Sequence, residues 1–500
     1  MHQPPISLDF APEKFSSLLD EAVKLVLEQY EGMHDAKAFA GFSPAEVKSW
    51  FDEPIPEGGM APEDVLKLVK KYVLDTATMN IAPNMYAYVM AGGTQASIIS
   101  EMFTAAINQN VGKWHLAPSM NELEQLVIKW GAQFIGFSND AAGVLVSGGS
   151  AANLTAMTVA RNICFEKQGI RHKGVFGMAP MTVYASSEVH GCVDKSMDML
   201  GLGINNLRKI PIDKDCRIRL DLLVTQIEKD IADGFQPFCL IANGGTVNTG
   251  AIDPLTAMAE LADKYDMWYH VDGAYGGLAA CLDSLSADFE GIELADSVAI
   301  DFHKWLYQPF EAGCTLVKNW DKLRRTFYKK ADYLSADMVN DGRLDLNEHS
   351  FQLSRNAKAL KVWMSYKIYG AERLRKAIQN DIDNARYLAE LTSGLDDFEC
   401  CNDPKLSITC FRYLGPDAEK REDKAWVDAL NEALTPALEK DGRVFIAGTQ
   451  LHGQPVIRAC CINHRMTHQN IDKLVRVVRQ VGTDVAASLA SKSGTLQQNQ

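Results

Sequence analysis

The chain has 500 residues, of which 47% are hydrophobic and 23% are charged. This length predicts about two or three structural units, and the composition is that of an ordinary globular protein. The formal net charge of −14 argues against a nucleic-acid partner, because phosphate recognition needs a basic surface. The eleven cysteines contain no Cys-x-x-Cys pair, which favours reduced thiols. With neither a signal peptide at the N-terminus nor an apolar run that could span a bilayer, we expect a cytoplasmic protein without a membrane partner.

The N-terminal part is predicted to be helical. Apolar residues recur at helical spacing over residues 12–30, and Pro62 opens a second helix that is predicted to extend to Leu74. An irregular loop is expected over 81–93 and a further helix over 101–109. Because the first helices cannot bury their apolar faces alone, they must pack against something else.

Residues 143–313 alternate apolar strands with amphipathic helices, which predicts an α/β fold with a mostly parallel sheet. The strand Val144–Val146 leads into Ser147-Gly-Gly-Ser-Ala-Ala-Asn153 and then a helix. Small residues at a helix N-terminus leave N–H groups open to an anion, so this turn is a candidate phosphate site. A tight turn capped by Ser150 would give the same pattern. The turn has no Gly-Lys-Ser/Thr sequence, so it is not a nucleotide P-loop.

The most informative stretch is 270–304, which reads His-Val-Asp-Gly-Ala-Tyr-Gly-Gly and, further on, Asp-Phe-His-Lys-Trp. Two strands, one ending in Asp272 and one in His303 and Lys304, would bring a carboxylate, an imidazole and an amine to one sheet edge. Covalent attachment of an aldehyde cofactor needs such an amine, and a protonated pyridine ring needs a buried carboxylate. The combination favours pyridoxal 5′-phosphate. Taken singly, the aspartate is also typical of a strand-end cap and the lysine of a solvated charge.

A metal site was the other interpretation of this stretch. His270, Asp272 and His303 are residue types that bind metals, but no compact motif such as His-Glu-x-x-His accompanies them. We therefore predict no metal.

These two motifs together resemble the group II pyridoxal phosphate-dependent amino-acid decarboxylases, the family of aromatic amino-acid, glutamate and cysteine sulfinate decarboxylases. The resemblance covers roughly residues 80–480, with its motifs in the same order. It implies a fold-type I enzyme with an N-terminal helical segment and a small α+β C-terminal domain, and a homodimer with active sites at the subunit interface. It also implies that Lys304 carries the cofactor and that Asp272 contacts its pyridine nitrogen.

The resemblance extends to the other cofactor contacts. His190 matches the histidine that stacks on the cofactor ring, and Thr246 matches a threonine beside the cofactor. The expected catalytic residues are Lys304, Asp272, His190 and His303. The expected cofactor-binding residues are these four together with Gly148, Gly149, Ser150, Thr246 and Ala274, the last of which is small enough to lie beneath a ring.

Substrate-binding candidates come from three places. The family contributes pocket residues from the regions that here contain Tyr86, Tyr88 and Trp114, although such aromatic residues are also typical of plain packing. Arg458 stands where some relatives bind the substrate carboxylate, but a surface arginine is equally compatible with the sequence. The aromatic residues favour an aromatic or bulky apolar L-amino acid, whereas Lys113 and Arg458 keep an acidic substrate open.

The segment 333–354 is polar and long, which predicts a mobile loop. In the family this loop carries a tyrosine that returns a proton to the substrate. Leu344 aligns with that tyrosine, and Tyr333 and His349 are the candidates to replace it. A missing tyrosine leaves open a decarboxylation-dependent oxidative deamination that yields an aldehyde.

The sequence therefore predicts an N-terminal dimerisation segment over 1–80, a cofactor-binding domain over 81–370, a C-terminal domain over 371–487 and a disordered tail over 488–500. The predicted function is decarboxylation of an L-amino acid to the amine and CO2. The alternatives are the aldehyde-forming reaction, decarboxylation of glutamate or another acidic amino acid, a lyase of the same fold, and a scaffold protein without catalysis. Retention of both Lys304 and Asp272 argues against the scaffold.

Overall fold

A computed structural model of the protein describes residues 8–329 and 342–498. The N-terminal part is helical, as the apolar spacing predicts, and helices α1 to α5 span Pro12–Gly32, Pro44–Trp50, Pro62–Val69, Gln95–Ile107 and Pro118–Phe134. A π-helical turn, Lys70–Leu74, follows α3, so the helix predicted to reach Leu74 changes its winding there. Helices α1, α2 and α3 bury none of their residues, which agrees with the expectation that they need another surface.

The central sheet has seven strands in the order β1-β7-β6-β5-β4-β2-β3. These strands span Ala142–Val146, Met181–Ser186, Leu207–Ile210, Gln236–Asn243, Trp268–Asp272, Ser297–Asp301 and Gly313–Val317, numbered β1 to β7 along the chain. Strand β7 runs antiparallel to both of its neighbours, while β2 to β6 pair in parallel. The predicted α/β fold with a mostly parallel sheet is confirmed.

Helices follow the strands and cover the sheet, as right-handed crossovers between parallel strands require. They are α6 to α12, spanning Gly149–Cys164, Ile170–Lys173, Cys192–Met199, Leu220–Ala232, Leu255–Lys264, Phe302–Trp305 and Trp320–Phe327. Every residue of β1, β2, β5, β6 and β7 is buried, which explains their continuous apolar sequences. Because β6 ends at Asp301 and α11 begins at Phe302, Lys304 lies on a helical turn and not on the predicted strand.

The C-terminal part forms a second, smaller layer. It contains the long helix α13 (Ala359–Ser393), strands β8 to β11 (Phe398–Cys400, Ile408–Tyr413, Ala447–Leu451 and Gln454–Cys460) and helices α14 (Lys424–Asp441) and α15 (His468–Gln498). The four strands form an antiparallel sheet in the order β10-β11-β9-β8. This is the small α+β unit that the resemblance implies.

Two features bear on the predicted domain limits. Helix α13 is interrupted at Gly370, whose φ of 71° and ψ of 156° are not helical, at the predicted boundary between the two larger domains. Helix α15 continues to Gln498, so the backbone is helical over most of the segment that composition assigned to a disordered tail. A polar sequence can continue a helix whose earlier turns are already fixed by packing, because propagation is easier than nucleation. The domain limits themselves stay predictions.

In the described ranges, no helix is both long and apolar enough to cross a membrane.

Candidate active site

A cavity of about 330 Å³ opens at the edge where the parallel strands end. Strands β4, β5 and β6 end there in Asn243, Asp272 and Asp301. In open α/β sheets, ligands bind in the crevice outside the carboxyl ends of the strands. The cavity is lined by Ser147, Gly148, Gly149, Ser150, Ala151, Asn153, Glu188, His190, Cys192, Asn243, Gly245, Thr246, Val247, Asp272, Ala274, Tyr275, Asp301, His303, Lys304 and Phe310. All of the predicted cofactor-binding residues are among them.

The turn between β1 and α6 forms one wall of this cavity. Helix α6 begins at Gly149, so its first N–H groups point towards the cavity, where the helix dipole favours an anion. A Cβ atom on Gly149 would lie 2.9 Å from both Ala274 Cβ and Asp301 Oδ2, and one on Gly148 would lie 3.2 Å from His303 Cε1. The glycines therefore allow the backbone to approach the rest of the site closely.

Asp272 and Ala274 form the floor. Asp272 ends β5, is 7% exposed, and accepts a hydrogen bond from the N–H of Ala274 through Oδ1 at 3.2 Å. The bond fixes the side chain of the aspartate at the sheet edge. A buried carboxylate held in this way is suited to a protonated ring nitrogen.

His270, two residues before Asp272, belongs to a hydrogen-bond chain behind the cavity. Its Nε2 donates to Asn153 Oδ1 at 2.8 Å, and its Nδ1 lies 2.9 Å from the hydroxyl of Ser297, which accepts from Trp268 Nε1 at 2.8 Å. Asn153 in turn donates to the carbonyl of Gly149 at 3.0 Å. Burial lowers the pKa of His270 to about 4, so the ring is neutral and links β5 to the first turn of α6.

Lys304 faces the same turn from α11. Its Nζ lies 3.1 Å from Asp301 Oδ2, and the side chain is 20% exposed. The same Asp301 oxygen accepts from the N–H of Gly149 at 2.9 Å and lies 3.6 Å from His303 Nε2. Burial lowers the pKa of His303, whose Nδ1 accepts from the N–H of Ala312 at 3.1 Å. The amine, the imidazole and the carboxylate form one cluster beside the turn.

His190 and Thr246 complete the opposite wall. The N–H of Cys192 donates to His190 Nδ1 at 3.2 Å, which holds the ring at the beginning of α8. Thr246 is buried and lies in a tight loop, where its hydroxyl accepts from the N–H of Ala251 at 3.1 Å. Both side chains line the cavity, as the sequence predicts.

The four predicted substrate residues do not line this cavity in the described part of the chain. Tyr86 is fully buried in the core of the C-terminal unit and donates to the carbonyl of Asn470 at 2.9 Å, so it is a packing residue. Trp114 donates to Glu122 at 2.8 Å. The sequence did not distinguish these roles, because an aromatic residue in a loop suits a core and a pocket equally well.

Tyr88 and Arg458 lie closer to the cavity. Arg458 is buried, and its Nη1 donates to the carbonyl of Tyr88 at 2.9 Å while its Nε donates at 2.7 Å to Val247, a cavity residue. The Nη2 atom of Arg458 is buried and has no hydrogen-bond partner in the described part of the chain. Arg458 is therefore not the surface residue that the alternative interpretation assumed. Tyr88 is 62% exposed, with a φ of 59°.

The predicted loop is only partly described. Tyr333 lies outside the described residues. Leu344 packs against a small cluster of buried apolar residues that includes Val111, Met120 and Leu346. His349 is buried against Trp320, its Nδ1 lies 2.9 Å from the carbonyl of Asp345, and burial lowers its pKa. His349 is not among the described residues that line the cavity of its own chain, and its role as the substitute proton donor stays a prediction.

Some cavity residues escaped the sequence analysis. Phe310 is 58% exposed and its ring lies 4.6 Å from that of His303. Glu188 accepts from Asn248 at 2.8 Å, and Asp301 stands directly before the predicted Phe-His-Lys stretch. The signal for Asp301 was present, since it is a charged residue at the end of an apolar strand. No sequence pattern pointed to Phe310, which follows a proline in a loop.

The residues present fit pyridoxal phosphate. One cavity combines a helix N-terminus open to a phosphate, a buried carboxylate, an alanine floor, a ring wall from His190 and an amine. The close packing around Gly149 leaves no room there for a side chain, so the backbone of the turn can approach the anion.

Comparisons with known proteins support the same cofactor and the same class of reaction. The family model described as "Pyridoxal-dependent decarboxylase conserved domain" matches residues 44–414. The chain is 30% identical over 483 residues to an aromatic-L-amino-acid decarboxylase of Bacillus atrophaeus, covering 96% of this chain and 98% of that protein. It is 27% identical over 489 residues to an L-2,4-diaminobutyrate decarboxylase of Acinetobacter baumannii, covering 95% and 94%. The solved structure of mouse CSAD matches with a TM-score of 0.89 and 26% identity, over 95% of this chain and all of that one.

The chain belongs to the pyridoxal-dependent decarboxylases. It is a pyridoxal phosphate-dependent carboxy-lyase, and the resemblance drawn from the two motifs is confirmed. The relatives differ in the amino acid that their names give, so membership of the family does not identify the substrate.

Proposed function

We propose that this protein removes the α-carboxyl group of an aromatic or bulky apolar L-amino acid and releases the amine and CO2. The observation that carries the proposal is that Asp272, Lys304 and the glycine turn before α6 line a single cavity. When bound, pyridoxal phosphate supplies the ring that takes up the electron pair left by the departing CO2.

Each residue of the site would then have its own role. The backbone of the turn at Gly148, Gly149 and Ser150 would hold the phosphate, and Asp272 would keep a proton on the ring nitrogen. Ala274 and His190 bound the two faces of the ring, while Thr246 and His303 flank it. Lys304 would hold the cofactor through its amine and would be placed to transfer a proton beside it.

The charge of the cavity supports an apolar substrate side chain. Lys304 is the single lysine or arginine among the described residues that line the cavity, whereas Glu188, Asp272 and Asp301 are acidic. A second carboxylate on the substrate would meet these acids without a matching cation, which costs free energy in a partly buried site. This disfavours the glutamate-type alternative. The exposed ring of Phe310 at the cavity offers an apolar contact that an aromatic substrate can use.

Arg458 is our candidate for binding the substrate α-carboxylate. The unpartnered Nη2 of its buried guanidinium and its contact with the cavity residue Val247 support this role, because a buried donor without an acceptor is costly unless a ligand supplies one. Binding of the carboxylate sets which bond of the α-carbon is broken, since that bond must lie perpendicular to the cofactor ring.

The aldehyde-forming reaction remains the second candidate. Its support is Leu344 at the position aligned with the loop tyrosine, and the absence of any tyrosine between Met338 and Ser354 in the sequence. In that reaction molecular oxygen would be the oxidant, and one amino acid, one O2 and one water would give the aldehyde, CO2, ammonia and hydrogen peroxide.

We also propose a homodimer. Helix α1 buries none of its residues, and its apolar side chains Phe15, Leu19, Val23 and Leu27 are each at least 39% exposed. An apolar helix face of this size is stable in water only when it is covered. A molar mass of two chains by light scattering supports this assignment, and a monomer at micromolar concentration contradicts it. The cytoplasmic location stays a prediction from the sequence.

Product analysis tests the proposed reaction. The purified protein with pyridoxal phosphate is incubated with a panel of L-amino acids, and amine, aldehyde, CO2 and hydrogen peroxide are measured together. The proposal predicts amine and CO2 in equal amounts from an aromatic substrate, and loss of both in the Lys304→Ala variant. Aldehyde with ammonia and peroxide would replace the proposal by the second candidate, and turnover of glutamate in preference to aromatic substrates would contradict the substrate class.

A further inference from the structure

The carboxylate of Asp301 occupies an unusual position for an acid, because it shares the helix N-terminus at which the cofactor phosphate is expected. Asp301 is 1% exposed, and its Oδ2 accepts from the N–H of Gly149 at 2.9 Å. Its Oδ1 is buried and has no hydrogen-bond partner in the described part of the chain. A negative charge is therefore already present where a second, larger one is to bind.

Few groups can balance this charge. The ammonium of Lys304 lies 3.1 Å from Oδ2, and His303 Nε2 lies 3.6 Å from the same oxygen. The nearby thiols stay neutral, since burial raises the pKa of Cys192 to about 12 and also raises that of Cys314. Asp272, across the cavity, adds a like charge.

The next cation is engaged elsewhere. Lys361, whose charge helps to lower the pKa of His303, is paired at 2.7 Å with Glu101 and donates to the carbonyl of Pro309 at 3.0 Å. Lys304 is thus the cation that neutralises Asp301 in the structure.

Attachment of the cofactor weakens that balance. When Nζ of Lys304 forms a double bond to the aldehyde carbon and one water leaves, the nitrogen keeps one of its three N–H bonds and its positive charge, so no proton is released and two of the three ammonium donors beside Asp301 are lost. At the same time a phosphate brings negative charge to the turn. A buried carboxylate that loses hydrogen-bond donors while gaining an anionic neighbour favours its protonated form.

We propose that binding of pyridoxal phosphate is coupled to uptake of a proton from solvent by the Asp301–His303 pair. The proton is held between Oδ2 of Asp301 and Nε2 of His303. Because the bound state then holds one more proton than the free state, cofactor affinity falls as the pH rises. The inference deepens the proposed cofactor site and rests on it.

The pH window follows from His303. Burial lowers the pKa of His303 in the structure, so the free site lacks this proton above about pH 6.5, the ordinary histidine value. Cofactor affinity should therefore fall with rising pH from about pH 6.5 upwards. This dependence ends at the pH at which the Asp301–His303 pair loses its proton in the bound state as well.

Calorimetry of the full chain tests the coupling. Cofactor is removed from the purified protein, and pyridoxal phosphate is titrated back in buffers of different ionisation enthalpy; the slope of the heat against that enthalpy counts the protons taken up. The count is compared between the unaltered protein and Asp301→Asn, whose amide oxygen can still accept from Gly149. Proton changes of the cofactor itself are common to both and cancel in the difference.

We expect the unaltered protein to take up about one proton more than Asp301→Asn. Its dissociation constant should accordingly rise about tenfold more per pH unit above pH 7 than that of the variant. The matched control is Asp296→Asn, which lies just before the other end of β6 and is paired at 3.1 Å with Lys322. This control should keep the proton count of the unaltered protein.

Equal proton counts and parallel pH curves in the unaltered protein and Asp301→Asn would overturn the coupling, even if the variant bound more weakly throughout. His303→Gln provides a second comparison should Asp301→Asn fail to fold, and it too should lose the extra proton. A Lys304 that remains unmodified after cofactor addition would instead overturn the cofactor site, so the two failures are distinguishable.

Discussion

Gly149 is closely packed at the proposed cofactor site, and adding one methyl group there should weaken cofactor binding. In Gly149→Ala the new Cβ would lie 2.9 Å from Ala274 Cβ and from Asp301 Oδ2. Neither atom is at the end of a long flexible side chain, so the turn itself must shift. Overpacking of this kind costs about 1–3 kcal/mol.

The structure also determines where this cost appears. Without the cofactor, the turn can relax outward. The phosphate requires the N–H groups of the turn in place, so the strain lowers the free energy of cofactor binding. A cost of about 1–3 kcal/mol corresponds to a dissociation constant raised about 5- to 150-fold. Cofactor titration followed by absorbance gives this constant directly.

Gly191→Ala is the matched control for this comparison. Gly191 follows His190 at the start of α8, has an ordinary negative φ of −58°, and has no atom within 4 Å of an added Cβ. We expect its affinity for pyridoxal phosphate to stay within about twofold of the unaltered protein. If Gly149→Ala bound the cofactor as tightly as Gly191→Ala, the close-packed turn would not be the phosphate site.

Three further predictions concern buried polar groups. Burial raises the pKa of Asp381 from 3.8 to about 7, so the folded chain holds a proton that the unfolded chain releases. The free energy of unfolding should therefore fall as the pH rises from about 4 to 7, by at most about 4 kcal/mol. The melting temperature of Asp381→Asn should vary less over this range than that of the unaltered protein. An equal variation in both proteins would contradict the raised pKa of Asp381. Arg355→Met leaves Glu124 buried without its ion pair and should cost about 3–5 kcal/mol, whereas the double variant with Glu124→Gln should recover most of this in thermal melts; additive losses would argue against the pair. Asn153→Leu removes the acceptor of His270 and should weaken cofactor binding more than it alters the turnover number. A lower turnover number with unchanged cofactor affinity would refute the role of Asn153 in holding the turn.

The sequence predicted the features that follow from local pattern. Three short stretches have residue types that indicate their chemistry: the glycine turn after β1, the aspartate at the end of β5 and the Phe-His-Lys segment after β6. The structure brings them into one cavity. The parallel sheet was predictable because its strands are buried on both faces and are continuously apolar.

The parts that were missed depend on packing between distant segments. Tyr86 was a pocket candidate with plain packing as the alternative, and it lies in the core of the C-terminal unit, 384 residues away in sequence from its partner Asn470. The helical continuation of α15 to Gln498 depends on the packing of its earlier turns, which composition does not reveal. Asp301 was given no role, because its contacts with Gly149 and Lys304 exist only once the sheet has formed.

The role of Lys304 is central to this account, and a covalent label tests it most directly. The protein purified with pyridoxal phosphate is reduced with borohydride, digested, and analysed by mass spectrometry to locate the cofactor. We predict a single modified peptide, carrying the cofactor mass on Lys304, and none in the Lys304→Ala variant. Modification of another lysine, or a cofactor that is lost on denaturation despite reduction, would contradict the proposed active site.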